Sequence, residues 1–232
     1  VAGVGAYSGN VLRPLIRMIP RLPHISRISS ATLLECEDGK TGDGGILVVG
    51  DAAVVPRPTS DELAATAVGL AGLKKRLTGR NARVALLSYS TRGSASMNEE
   101  TGKVIEATKK ARELAKQIGL PGEFDGEMQL DAALDPKKAK LKIADSVVAG
   151  RADCLVFPDL NTGNIAVKGI QHFGRVRTYG NILLGMRLPA AEISRGAEEE
   201  EVLGVAAIVG ILAVEYRKLY PEPASPAVAL GK

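Results

Sequence analysis

An α/β protein with a mostly parallel sheet flanked by helices is the architecture this amino-acid sequence predicts. Three observations carry it. Short runs rich in branched residues recur at 25–34, 45–49, 83–87, 153–157 and 176–184, and such runs bounded by polar turns read as strands. Helical periodicity fills most of the intervals between them. Strands that alternate with helices are joined by crossovers, which set the strands parallel in one sheet.

Taken along the chain, each element has its own signal. Thr59-Ser60-Asp61-Glu62 is a capping box, and Leu63, Ala67, Leu70 and Leu73 continue it as a helix that ends near Gly79. Residues 99–118 place Val104, Ala107, Ala111, Leu114 and Ile118 on one face, and Gly119 with Pro121 stops that helix. A shorter helix is predicted over 136–143, another over 161–173 with Asn161 as its cap, and a last one over 198–220. The tail holding Pro221, Pro223 and Pro226 is expected to fray.

Composition narrows the function. The chain has 232 residues, 45% of them hydrophobic and 24% charged, ordinary values for a globular protein with a core of its own. A net charge of +4 suits a small anionic ligand. Aromatic residues are 3% and Trp is absent, which leaves few stacking platforms for bases and argues against nucleic acid. Cys36 and Cys154 have no metal-type spacing, His24 and His172 form no paired-histidine motif, and Cys154 lies in an apolar run as a buried thiol. No metal site is expected. No apolar run reaches membrane-spanning length and no signal peptide is visible, so a cytoplasmic protein is expected, with no membrane partner.

Four polar stretches stand where chemistry is expected. The strand at 83–87 leads into Ser88-Tyr89-Ser90-Thr91-Arg92-Gly93-Ser94. Hydroxyls, a guanidinium and a glycine at a strand exit can cradle an anion, and can equally cap the next helix. The strand at 153–157 leads into Asp159-Leu160-Asn161-Thr162-Gly163-Asn164, where Gly163 permits close approach and Asn164 points towards the crevice. Arg13 and Arg17 share a helical face and repel unless an anion lies between them; the alternative is a solvated basic face, the preferred reading for Arg17. In 125–133, Asp125, Glu127, Gln129 and Asp131 can share a strand face, either as acid–base groups or, the preferred reading, as structural acceptors.

The most informative stretch is Ser194-Arg195-Gly196, followed by glutamates from 198 to 201. A hydroxyl, a planar fork of donors and a carboxylate on the first turn of a helix suit a phosphate-bearing substrate.

Leu12-Arg13-Pro14 and the stretches 87–95, 125–133, 148–152, 157–165 and 194–196, taken in that order, resemble the phosphate acetyltransferase and phosphate butyryltransferase family. The resemblance implies a two-domain α/β enzyme, a homodimer, with its site between the domains. It implies reversible acyl exchange between coenzyme A and inorganic phosphate, with coenzyme A and acyl phosphate as substrates and no cofactor. Arg13, Ser194 and Arg195 take the positions of cleft residues, and Glu201 that of the carboxylate that deprotonates the thiol. Ser90, Thr91, Arg92, Gly93, Ser94, Asn161, Gly163 and Asn164 fall in its substrate-binding stretches. Residues 21–188 correspond to the second domain, and residues 1–20 and 189–232 to remnants of the first, which in the family begins with a further leading segment. There are departures: Glu201 replaces an aspartate, Ala6 a histidine, and Asn181 the proline of a Gly-Pro-Ile. The alternative implied by them is a non-catalytic or truncated relative that binds coenzyme A or a phosphate ligand and works with another chain.

Overall fold

The computed structural model describes residues 1–23 and 25–219. The predicted tail at 221–226 and His24 lie outside the described residues. Six strands form one sheet: β1 (Ser29–Cys36), β2 (Ile46–Gly50), β3 (Ala82–Leu87), β4 (Gly122–Met128), β5 (Cys154–Val156) and β6 (Val176–Leu184), in the spatial order β4-β3-β5-β2-β1-β6. Neighbours from β4 to β2 pair parallel, while β1 runs antiparallel to both β2 and β6. Five strands therefore point one way, and the sheet is mostly parallel as expected.

Alternate strand residues feed two apolar layers, as the twofold period of a strand requires. Leu33, Val48, Val84 and Leu86 face the helices α2 (Ser60–Thr78), α3 (Glu99–Gln117) and α7 (Glu199–Leu219). Leu34, Leu47, Val49, Ala85 and Leu87 face α4 (Leu130–Leu134), Ile143 at the end of α5 (Pro136–Lys142), and α6 (Leu160–Phe173). The first helix, α1 (Ser8–Met18), packs Leu12 and Leu15 on a small third cluster with Leu183 and Met186.

The local signals act as read. Thr59 accepts from the Glu62 backbone N–H at 3.2 Å while the Glu62 carboxylate accepts from Thr59 N–H at 2.8 Å, and Gly79 ends α2 in the left-handed conformation. Three differences matter most. The first strand starts at Ser29 rather than 25, because the chain before it is still turning: Ile25 N–H donates back to the Leu22 carbonyl at 3.1 Å. The cap of α6 is Asp159, which accepts from Thr162 N–H at 2.8 Å; Asn161 already lies inside the first turn. The strand β4 was not among the predicted apolar runs, since two glycines and three carboxylates mask it, and only its second half, from Asp125, was read as a possible strand face.

Candidate functional site

The stretch before Ser194 is held from both sides. On one side Ile193 N–H donates to Ala2 at 2.9 Å and Gly5 N–H donates to the Arg195 carbonyl at 3.3 Å. Gly3 has φ of 145°, and a Cβ there would overlap the Ile193 carbonyl, so only glycine allows this approach. On the other side Glu192 N–H donates to Asn181 of β6 at 2.9 Å, and Ala191 bridges Ile182. In this extended backbone, side chains alternate. Ala191 and Ile193 enter the apolar core, while Glu192 and Ser194 line a cavity.

That cavity, of ≈ 150 Å³, is drawn from distant parts of the chain. Ser8 comes from the start of α1, Thr32 and Asn181 from adjacent strands, Asn164 and Lys168 from one face of α6, and Glu201 from the first turns of α7. Ala52 and Ala53 form part of its wall in the loop leaving β2. That loop is shaped by the buried Asp51, whose carboxylate accepts from the backbone N–H groups of Ala53, Val54 and Val55 at 3.0, 3.1 and 2.7 Å, and from the Ser30 hydroxyl. Asn164 is tied to this turn by its Nδ2, which donates to the Ala52 carbonyl at 3.1 Å.

Charge in the cavity is mostly negative. Glu201 is half-buried, and desolvation raises its carboxyl above the ordinary glutamate value; Lys168 opposes the rise, and Glu192 and Glu198 add to it. Glu192 is buried, with Oε1 accepting from Ser8 Oγ at 2.6 Å and Oε2 from Asn181 Nδ2 at 2.8 Å. A carboxylate whose proton affinity is raised by burial is a stronger base towards a thiol than one in water.

The residues expected from sequence separate into two sets. Ser194, Glu201 and Asn164 come together at the cavity. Gly163 lies beneath it, packed against Asp51 so tightly that no Cβ fits. Arg195 is exposed and sets its guanidinium 4.4 Å from the centre of the Tyr7 ring, a cation–π contact. Arg13 and Asn161 are exposed and do not line the cavity.

Nor do Ser90, Thr91, Arg92, Gly93 and Ser94. Donors of three of them converge instead on Glu127, which accepts from Ser90 Oγ at 2.7 Å, Arg92 N–H at 2.6 Å and Gly93 N–H at 3.0 Å. The loop does cradle an anion, and that anion is the protein's own buried carboxylate. Arg92 pairs through its side chain with Asp125 at 3.1 Å. Asp125 and Glu127 thus serve as structural acceptors. They do not share a strand face with Gln129 and Asp131, because β4 ends at Met128 and those two begin α4.

Ser8, Lys168, Asn181 and Glu192 were missed by the sequence reading. Only Lys168 carried a usable signal, one helical turn beyond Asn164. Cys154 is buried with its thiol raised well above the ordinary value by desolvation, and so is inert at neutral pH. Among the described residues there is no cluster of metal-binding side chains, and no helix is long and apolar enough to cross a membrane.

Comparison with known proteins gives consistent results. A family model described as phosphate acetyl/butaryl transferase matches residues 1–210. A phosphate acetyltransferase of Clostridium acetobutylicum is 39% identical over 213 residues, which are 92% of this chain and 62% of that protein. One of Acetivibrio thermocellus is 38% identical over 92% of this chain and 63% of the relative. Among solved structures, a phosphotransacetylase from Streptococcus pyogenes superposes with a TM-score of 0.82 at 36% identity, covering 92% of this chain and 62% of the other. The EutD phosphotransacetylase from Staphylococcus aureus gives 0.81 at 33% identity, covering 91% of this chain and 62% of that one. The chain thus spans about three-fifths of the length of these relatives.

Proposed function

Because this chain belongs to the phosphate acetyl/butaryl transferase family, we propose that it carries the site for exchange of a short acyl group between coenzyme A and inorganic phosphate. The observation that supports this reading above others is that Ser194, Asn164 and a desolvated Glu201 line one cavity beside Lys168.

In this reading Glu201 takes the proton from the coenzyme A thiol, whose ordinary pKa is about 8.5 and which is therefore mostly protonated at neutral pH. The thiolate adds to the carbonyl carbon of the acyl phosphate, and negative charge builds on the carbonyl oxygen. Ser194 Oγ–H donates to that oxygen. The tetrahedral species collapses with loss of phosphate, leaving the thioester. Lys168, Asn164 and the guanidinium of Arg195 hold the phosphoryl group. Arg195 leaves Tyr7 to do so, and Arg13 is assigned a supporting role in holding the substrate's negative charge. Loss of one such donor typically lowers the rate by about a hundredfold.

The same proposal assigns residues 1–20 and 189–232 to one domain and 21–188 to another. Its support is that Ser8, Ser194 and Glu201 meet Thr32, Asn164 and Lys168 at one cavity. Coenzyme A and acyl phosphate as substrates, no cofactor, a homodimeric assembly and a cytoplasmic setting belong to this proposal as well. The unpaired state of Cys36 and Cys154 accords with the last of these.

Purified chain supplied with acetyl phosphate and coenzyme A should form thioester, followed by its ultraviolet absorbance, and Arg195→Ala should lose about a hundredfold in turnover while its thermal unfolding is unchanged. A chain that binds coenzyme A and forms no thioester would instead be the binding-only relative. Light scattering on the same preparation reads the assembly.

A further inference from the structure

We propose that Glu192 is a positioning residue of this cavity: its buried carboxylate holds Ser8 and Asn181 on the wall and sets the charge in which Glu201 takes up its proton. The proposal rests on the reading of Glu201 as the base.

Three observations lead to it. First, Glu192 and Ser194 lie two residues apart in an extended backbone and share the side that lines the cavity, while the residues between and before them enter the core. Second, Glu192 is only 1% exposed and forms no ion pair among the described residues; its two oxygens are met by the neutral donors Ser8 and Asn181. A buried carboxylate without a cation is costly, and a tether between a serine and an asparagine could be made by a neutral amide. The charge is what a tether does not need. Third, few charged groups bear on Glu201. Lys168 comes from α6, Glu192 from the stretch before Ser194, and Glu198 from the approach to α7, the helix of Glu201 itself. Glu192 and Lys168, of opposite charge, share the cavity wall with Glu201, and Glu198 stands one turn before it in the chain.

Replacing Glu192 by Gln keeps an oxygen acceptor and removes the charge. Lys168 then acts on Glu201 against Glu198 alone, and Glu201 should release its proton at lower pH. The effect expected is on the order of half a pH unit, about threefold in the acid dissociation constant.

The test is a carbon-13 titration of the Glu201 side-chain carboxyl in wild-type chain and in Glu192→Gln, with Glu201→Gln identifying the resonance. The acid limb of kcat/KM against pH is recorded in parallel with acetyl phosphate and coenzyme A. A lower midpoint in Glu192→Gln, with the kinetic limb moved the same way, is the expected result. An unmoved midpoint would reduce Glu192 to a structural tether and overturn the proposal. Should Glu192→Gln not fold, Glu192→Asp carries the same test: the shorter side chain draws its charge back, and an unchanged midpoint is again fatal. A limb that persists unaltered in Glu201→Gln removes Glu201 as base, and with it the role given to Glu192, even if the titration midpoint moves.

Discussion

Gly163→Ala tests the packing beneath the cavity and gives a magnitude that can be worked in advance. A Cβ at this position would overlap the carbonyl oxygen of Asp51, and would lie 3.0 Å from Cδ2 of Phe157 and 3.2 Å from the Asp51 carbonyl carbon. Two of these neighbours are backbone, in a loop fixed by the hydrogen bonds of the Asp51 carboxylate, so neither can swing aside. Overpacking of this kind costs roughly 1–3 kcal/mol, and a rigid neighbour puts the site near 3. Alanine in place of glycine within a helix returns about 0.5–1 kcal/mol. The net loss is about 2 kcal/mol, or roughly 4–8 °C in Tm for a chain of this size. Gly169, on the same helix, has no atom within 4 Å of its Cβ position. Gly169→Ala should therefore gain about 0.5–1 kcal/mol from the same chemical change. Urea unfolding of both variants, followed by far-ultraviolet circular dichroism, decides the matter. Equal shifts in the two variants, or Gly163→Ala within about 0.5 kcal/mol of wild type, would refute the steric argument. Since Asn164 is the next residue, Gly163→Ala should also weaken substrate binding.

Three further outcomes follow from the same structure. Lys74 is 1% exposed and contacts Asp153 at 3.0 Å and Asp43 at 3.1 Å, while Arg83 and Arg80 remain as second partners of those carboxylates; Lys74→Met should cost about 3 kcal/mol, the low end for a broken buried pair, and adding Asp153→Asn should recover part of it in urea unfolding. Glu201→Gln should lower turnover strongly and not lower stability at neutral pH. Because the folded carboxyl is raised, the native state binds more protons than the unfolded chain between the ordinary glutamate pKa and the raised one. Wild-type stability therefore falls as pH rises through that window, the Gln variant lacks this fall, and unfolding at about pH 4 and about pH 7 compares them. Thr59→Ala removes one half of a capping box and should cost about 1 kcal/mol by thermal unfolding.

Much of the framework is written in short-range signals. The capping box at Thr59, the left-handed Gly79 and the run at 176–184 each act within a few residues, and the elements they predict are those observed. The strand β4 escaped because its buried acidic residues reverse the usual composition, and the reason for burying them lies in another loop: Glu127 is needed by Ser90, Arg92 and Gly93. Asn161 was taken for the cap of α6 because it and Asp159 are both competent acceptors two residues apart; only the backbone path shows that Asp159 stands outside the first turn.

By itself the sequence determined the alternation of strands and helices, the capped start of α2, and the presence of a hydroxyl, a guanidinium and a carboxylate around residues 194–201. Tertiary structure decided which of these face one another. Local periodicity and capping depend on neighbours up to four positions away, whereas the cavity joins residues 8, 32, 164, 192 and 201, and the loop at 90–94 meets its anion 34 or more positions further on. Contacts at such separations exist only once the sheet has closed, which is why Glu192 and Ser8 were silent in the sequence and stand at the wall of the site in the fold.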